Sequence, residues 1–202
     1  MKFIYKKTYY PFPVHEFNLP AGHTCPFANE CKVKVDRATG KFTTKKGEYR
    51  CYAAMAERFP AVRNHRWGNF EYIVACNPII LPQDMKYCRI HGSGDFFAQW
   101  YFDEWVEICN ENSHIMFWAF PKSVRYWVNR LDKIPKNLCL QASYGGLDDH
   151  LIAKHKLKFA KVFPSAVEAR KAGLAIDTDD RLAMSGTKSF ALIDNFSKKG
   201  GK

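Results

Sequence analysis

Three cysteines near the N-terminus have the residue type and the setting of a metal-binding loop. Cys25, Cys31 and Cys51 lie among Gly, Pro and polar residues rather than in the apolar runs that are typical of core strands. Thiolates bind iron–sulfur clusters and zinc, both of which prefer sulfur ligands. A 4Fe–4S cluster held by three thiolates keeps one iron free for another ligand, whereas a fourth thiolate closes the site.

The spacing of these cysteines bears on which metal they would bind. Five residues separate Cys25 from Cys31, and nineteen separate Cys31 from Cys51. Structural zinc sites have four ligands, and their cysteines are usually paired about two to four residues apart. The spacing therefore favours an iron–sulfur cluster, and zinc is the alternative because His23 could complete a four-ligand site. Three loop cysteines without any metal are the remaining interpretation.

The other four cysteines have a pattern that is typical of core residues. Cys76 and Cys88 precede or lie within strand-like segments, Cys109 is on a helical apolar stripe, and Cys139 is in a strand-like segment. Buried free cysteine is common and usually inert. Cys88 and Cys139 could approach the metal site only if their side chains faced it.

Length, composition and charge limit the class of protein. A chain of 202 residues with 47% hydrophobic residues can form one domain with a substantial core. We expect one α/β domain over residues 1–197, with a metal-binding loop at 19–54 and a disordered basic tail at 198–202. No apolar run is long enough to cross a membrane, and the N-terminus lacks an apolar signal region. A net charge of +11 favours polyanionic partners, either nucleic acid or an anionic protein, although a solvated basic surface explains it equally well.

Strand-like and helix-like segments alternate after residue 50. A helix is expected from Cys51, interrupted at Pro60 and continuing to about Cys76. Strands are then predicted at 85–91, 115–120, 137–142, 158–163 and 189–193, in addition to a short first strand at 17–19. Helices are predicted at 98–110, 123–131, 147–155 and 165–171. This alternation indicates a parallel sheet with a site at the carboxyl ends of its strands.

Polar residues follow several predicted strands and are candidates for binding a small ligand. The turn Gly92-Ser93-Gly94-Asp95 follows the 85–91 strand, and its exposed amides could bind a carboxylate or phosphate. The same turn is also an ordinary strand-to-helix connection. His91 is either a ligand contact or a core histidine, and strand alternation assigns it to the same face as Tyr87 and Arg89. Lys122 and Ser143 follow later strands and could add a cation and a hydroxyl, or serve the turns alone.

Taken together, these segments resemble a known family. Leu19-Pro-Ala-Gly-His-Thr-Cys25-Pro with Cys31 and Cys51-Tyr-Ala, followed by Arg89-Ile-His-Gly-Ser-Gly-Asp95 and Phe117-Trp-Ala-Phe-Pro-Lys122, is similar to the bacteriophage "gene product 88" family. That family looks like a reduced relative of the radical S-adenosylmethionine (SAM) enzymes. The resemblance implies a partial parallel (β/α) barrel with an irregular N-terminal cysteine-containing loop. It also implies that Cys25, Cys31 and Cys51 bind a 4Fe–4S cluster, with residues 92–95 nearest the methionine part of bound SAM.

The residues and the resemblance together lead to three functional hypotheses. The first is a radical SAM-like enzyme in the cytoplasm of an infected bacterial cell. The second is a non-catalytic iron–sulfur protein that uses its basic surface to bind nucleic acid or a host protein. The third is a zinc-stabilised nucleic-acid-binding domain.

Overall fold

The computed structural model describes residues 1–31, 33–43 and 51–194, in which strands and helices alternate after an N-terminal hairpin. The strands are β1 Ile4–Lys6, β2 Val14–Phe17, β3 Tyr87–Ile90, β4 Met116–Ala119, β5 Leu138–Leu140, β6 Ala142–Ser143, β7 Phe159–Phe163, β8 Ala175–Ile176 and β9 Phe190–Ile193. The helices are α1 Tyr52–Ala56, α2 Pro60–Val74, α3 Gln99–Glu111, α4 Val124–Val128, α5 Asp149–Lys154, α6 Ala166–Lys171 and α7 Arg181–Ser185.

The strands form two sheets in which all pairs but one are parallel. The first sheet has the order β1-β2-β3-β4-β5, and only the β1–β2 pair is antiparallel. The second sheet has the order β6-β7-β9-β8. Parallel strands need a crossover connection, and α1 to α7 lie in these crossovers. The fold is therefore mixed α/β with parallel sheets.

One short segment, residues 138–143, connects the two sheets. β5 pairs with β4 on one side, and β6 pairs with β7 on the other. Between β5 and β6, the Gln141 backbone N–H donates to the Ala119 carbonyl, and the Ser143 backbone N–H donates to the Pro121 carbonyl. Hydrogen bonding to β4 and to the residues that follow it therefore continues along β6. The strands thus form one continuous strip, which no pairing among the described residues closes into a barrel.

The two faces of the strip pack into different cores. Phe17, Ile90 and Phe117 face a large core that includes Trp105 of α3. Trp118, which follows Phe117, faces the opposite side and belongs to a smaller core. This second core also contains Tyr10 and Val14 near the first sheet, Ala160 and Phe190 from the second sheet, and Ala183 of α7. The same face of both sheets therefore contributes to one interior.

The sequence predictions and the observed elements agree from α1 onward except in short segments. β8 and α7, which have two and five residues, were not predicted. The predicted strand at 17–19 overlaps β2 only at Phe17, because β2 spans Val14–Phe17 and pairs with β1 across a connection containing Pro11 and Pro13. Among the residues placed in the structure, no helix is long and apolar enough to span a membrane. The predicted tail at 198–202 lies outside the described residues.

Candidate metal centre

The segment that leads to Cys25 is held against the carboxyl end of β3. Leu19 and Ser93 exchange hydrogen bonds, since Leu19 N–H donates to the Ser93 carbonyl and the Ser93 hydroxyl donates to the Leu19 carbonyl, both at 2.9 Å. Thr24 folds back through its hydroxyl to Pro20, at 2.8 Å. The turn after β3 therefore holds the beginning of the cysteine loop.

The segment between Cys25 and Cys31 is held at the end of β6. Asn29 and Glu30 donate backbone N–H groups to the Gly145 carbonyl, at 3.2 and 3.1 Å. Leu147 in turn donates to the Phe27 carbonyl at 2.8 Å. On this side the Arg125 guanidinium packs over the loop in a cation–π contact, 3.9 Å from the centre of the Phe27 ring.

The third cysteine reaches the same end of the sheet through the beginning of α1. Tyr52, the residue after Cys51, donates its hydroxyl to the Gly92 carbonyl at 2.9 Å. Glu57 accepts the Ala21 N–H at 2.6 Å and so connects α1 to the first cysteine segment. The segments of all three predicted thiol ligands are thus fixed over the carboxyl ends of the parallel strands.

The long interval between Cys31 and Cys51 contains a small excursion of the chain. Val35 and Phe42 form an antiparallel bridge, so the chain turns back on itself between these two residues. Arg63 of α2 holds this excursion by donating to the backbone carbonyls of Arg37 and Ala38, at 2.6 and 3.2 Å. The excursion is therefore attached to α2 while the ends of the interval stay at the cysteine site.

The three thiols are partly accessible but poorly solvated. Burial raises the pKa of Cys51 to about 11, raises that of Cys31, and raises that of Cys25 well above its usual value. The charges of Cys51 and Cys31 raise the pKa of Cys25 further, so the three groups lie close enough to interact. A thiol in such surroundings keeps its proton at neutral pH unless a cation replaces it.

The thiols do not surround a single point. Among residues 1–31, 33–43 and 51–194, no three His, Cys, Asp or Glu side chains are arranged to hold one metal ion. His23, the predicted fourth zinc ligand, lies with Nε2 3.1 Å from the Val35 carbonyl oxygen and its ring against Trp67. A zinc site of the predicted composition is therefore not assembled in this arrangement.

The other four cysteines lie outside the segments that carry the three loop thiols. Cys88 and Cys109 are buried in the large core, and Cys76 is exposed after α2. Cys139 faces α7, where its thiol donates to the Met184 carbonyl at 3.0 Å. None of the four is close to the three loop thiols in a hydrogen bond or electrostatic contact.

Asp95, a predicted ligand contact, connects two strand ends. Its carboxylate accepts the backbone N–H groups of Phe96, Lys122 and Ser123, at 2.7, 2.8 and 3.0 Å. Burial raises its pKa to about 6, while these hydrogen bonds act in the opposite direction. The Ser123 hydroxyl donates to the Phe96 carbonyl and makes no capping hydrogen bond to α4.

His91 lies on the face opposite to the one predicted from strand alternation. β3 ends at Ile90, and His91 has a left-handed backbone with φ of 64°. This turns its ring toward Phe96 and Tyr101, whose hydroxyl lies 2.8 Å from Nε2. Burial lowers the pKa of His91 to about 3, so the imidazole is neutral and belongs to the core.

The two glycines of the predicted turn are needed for contact with the protein's own groups. A Cβ on Gly94, which has φ of +85°, would lie 2.6 Å from the Thr24 hydroxyl and 2.7 Å from the Leu19 Cβ. A Cβ on Gly92 would lie 2.8 Å from Asn18 Oδ1. The turn thus packs directly on the cysteine loop.

Lys122 and Ser143, the last predicted ligand contacts, meet each other at the strand ends. The Lys122 ammonium donates to the Ser143 hydroxyl at 2.6 Å and to the Tyr144 carbonyl at 2.8 Å. Its positive charge lowers the pKa of Cys31, against the larger effect of burial. Lys122 is therefore a cation at the edge of the thiol group, with one N–H not used in these two bonds.

A buried polar network below the thiols was missed by the sequence analysis. The Tyr10 hydroxyl donates to Glu16 at 2.6 Å and accepts from Arg89 at 3.0 Å. Arg89 also forms an ion pair with Asp180 at 3.3 Å and donates to the Tyr52 hydroxyl at 3.3 Å. Glu16 on β2 and Arg89 on β3 are register partners. A charged residue on each of these two adjacent strands was the sequence signal that could have indicated the network.

The fold and the site define a mixed α/β protein whose cysteine loop lies over the carboxyl ends of parallel strands. Residues 4–202 match the family model described as "Gene product 88", and the chain belongs to that family. Neither a curated protein nor a solved structure matches the chain.

Proposed function

We propose that the protein binds one 4Fe–4S cluster through Cys25, Cys31 and Cys51, with one iron open to a small ligand such as SAM. The observation that carries this proposal is the convergence of three cysteine segments on the carboxyl ends of β3 and β6. Each segment is fixed there independently, through Ser93, Gly145 and Gly92.

A cluster can be held by thiolates that do not all meet at one ion. The thiolates of a cluster bind different irons, so their sulfurs stand further apart than the ligands of one zinc. The thiols here interact electrostatically but do not surround one point. Partial burial suits the site as well, because it limits the access of water to the bound group.

The places of the other cysteines support the proposed open coordination position. Cys88 and Cys109 are in the core, Cys139 faces α7 and Cys76 is exposed after α2, so the proposal assigns only three thiols to the site. When bound, a three-thiolate cluster supplies an iron for an amine and a carboxylate and, once reduced, an electron for a sulfonium. In this proposal Lys122 attracts an anionic group of the ligand, and Tyr52 limits access to the interior below.

The parallel strip is, in the same proposal, a partial barrel of the radical SAM type. Its interior side would be the face that carries Arg89 and Trp118. Support comes from the small core, in which Trp118 from the first sheet packs with Ala160 and Phe190 from the second. Facing side chains from distant strands are expected inside a curved sheet.

Anaerobic purification and reconstitution test the proposal. We expect a brown protein that absorbs near about 400 nm and contains about four iron and four sulfide per chain. Cys25→Ser, Cys31→Ser and Cys51→Ser should each abolish the absorbance. Cys76→Ser is the matched control, because this exposed thiol lies outside the site. Bound zinc without iron, or full cluster content in a Cys25→Ser protein, would refute it.

A second measurement separates catalytic from non-catalytic iron–sulfur proteins. If SAM binds the open iron, adding it should change the EPR spectrum of the reduced cluster. An unchanged spectrum would favour a non-catalytic protein acting in the host cytoplasm through its charged surface.

A further inference from the structure

One edge of the second sheet carries a cluster of exposed positive charges. Residues 150–174 contain six Lys and Arg residues and one acidic residue, Glu168. All six of these cations are exposed. Five of the six, together with Lys188, are at or near the amino ends of β7, β8 and β9. We name this set the basic edge: Lys154, Lys156, Lys158, Arg170, Lys171 and Lys188.

The topology brings these residues together. β7, β9 and β8 are neighbouring parallel strands, so their amino ends lie at the same edge. Lys158 directly precedes β7, and Lys188 precedes β9 by two residues. The two loops are joined, because Phe159 N–H donates to the Ser189 hydroxyl at 3.1 Å. α5 and α6 each end at this edge, since they return the chain to the start of the next parallel strand.

Within the described part of the chain, the cations of the basic edge have no acidic side chain as an ion-pair partner. None of the ion pairs found among the described residues includes any of the six. The connecting segments 155–158, 172–174 and 186–189 contain no Asp or Glu. Helix dipoles explain cations in the last turns of α5 and α6, namely Lys154, Arg170 and Lys171. They do not explain Lys156, Lys158 and Lys188, which lie outside helices.

We propose that the basic edge binds the phosphate backbone of nucleic acid without regard to base sequence. Lysines dominate the set, and a lysine acts as a point charge on phosphate rather than reading bases through a paired hydrogen bond. Three adjacent strands are about 10 Å across, which is enough to meet several phosphates of one nucleic-acid strand.

The composition of the edge favours nucleic acid over an acidic protein. Protein interfaces are centred on buried aromatic and apolar side chains. None of the large apolar side chains exposed on the described part of the chain belongs to this edge. The nearest in sequence are Val162 of β7 and Val167 in the first turn of α6. Binding at the edge would therefore be electrostatic and strongly dependent on salt.

The edge also lies at the opposite end of the strands from the cysteine site. The proposal is therefore independent of a metal at Cys25, Cys31 and Cys51. Its test can fail or succeed whatever the outcome of the iron–sulfur experiments.

Fluorescence anisotropy with labelled single-stranded and duplex DNA tests the proposal. We compare the unmodified protein with a Lys156→Glu, Lys158→Glu, Lys188→Glu variant. The control is Lys7→Glu, Lys34→Glu, Lys41→Glu, which makes the same change in net charge at exposed lysines elsewhere. The edge variant should lose affinity at least about tenfold more than the control, and its salt exponent should fall by about three.

Comparable losses in both variants, or no binding by the unmodified protein at about 50 mM salt, overturn the proposal. Polyglutamate that competes as well as DNA would overturn the preference for phosphate. Comparison of the two DNA probes shows which form is preferred. Acetylation footprinting of the unmodified protein is a second test, in which DNA should protect Lys156, Lys158 and Lys188 but not Lys34.

Discussion

The Tyr52 hydroxyl donates a hydrogen bond to the Gly92 carbonyl at 2.9 Å, and this bond connects the third cysteine segment to the end of β3. The same hydroxyl accepts from Arg89. Burial raises the pKa of Tyr52. Its hydroxyl therefore connects the third cysteine segment both to the end of β3 and to the polar network around Arg89.

Replacing this hydroxyl should loosen the third cysteine segment. We expect Tyr52→Phe to lower the free energy of unfolding by about 1 kcal/mol, since two hydrogen bonds are lost at a partly accessible group. Urea denaturation measures the change. Tyr9→Phe is the control, because Tyr9 is similarly exposed and its hydroxyl makes no hydrogen bond within the described structure. Equal stability of the two variants would show that the Tyr52 bonds contribute nothing.

The buried Glu57–Arg66 pair should be the most sensitive ion pair in the protein. Glu57 is fully buried and accepts both from Arg66, at 2.9 Å, and from Ala21 N–H. Glu57→Gln leaves the guanidinium without its counter-charge, so we expect a loss of about 3 kcal/mol or more in unfolding free energy. The matched change Glu71→Gln breaks the half-exposed pair with Arg37 and should cost less than about 1 kcal/mol. The reverse order in urea denaturation would contradict this ranking.

Two glycines should respond to alanine with opposite signs. Gly94→Ala places a methyl group against Thr24 and Leu19 at a backbone angle that alanine avoids, so it should destabilise the protein by more than about 1 kcal/mol. Gly68→Ala in α2 meets no atom within 4 Å and should stabilise by about 0.5–1 kcal/mol. Thermal unfolding followed by circular dichroism measures both. A stabilised Gly94→Ala protein would mean that the cysteine loop is not packed on this turn.

The Arg125–Asp148 ion pair should make part of the unfolding free energy depend on pH in the acid range. Hydrogen bonding and charge from Arg125 hold the pKa of Asp148 below its usual value, so the folded state favours the ionised carboxylate. This contribution is present above the usual aspartate pKa and is lost as the pH falls through the lower, folded value. Unfolding free energies of Arg125→Gln and the unmodified protein, measured against pH, should therefore converge in acid. A constant difference at all pH values would assign the effect of Arg125 to its contact with Phe27 instead.

Periodicity predicted the strands and helices that are long enough to repeat their pattern. β3, α3, β4 and β7 are each found within a few residues of their predicted places, and all precede or follow a polar turn. The order of segments also predicted a parallel sheet, because helices separate the strands. The carboxyl ends of that sheet then became the expected place for the cysteine loop.

Other parts of the site could not be predicted, because they depend on the backbone angles of single residues and on contacts between residues far apart in sequence. His91 follows the alternation of β3 in sequence, but its positive φ places the ring in the core. Tyr10 and Asp180 are far from Arg89 in sequence, and only the folded chain brings them together. Asp95 was predicted to contact a ligand, but its three backbone partners could not be inferred from its sequence position.

The segment 138–143 has a consequence for how the protein unfolds. It is hydrogen-bonded toward β4 on one side and toward β7 on the other, so neither sheet can release it without losing pairing at its own border. Lys122 and Ser143 extend this connection to the carboxyl ends of the strands. The two sheets are thereby thermodynamically coupled, and a substitution in either half changes the opening equilibrium of the other.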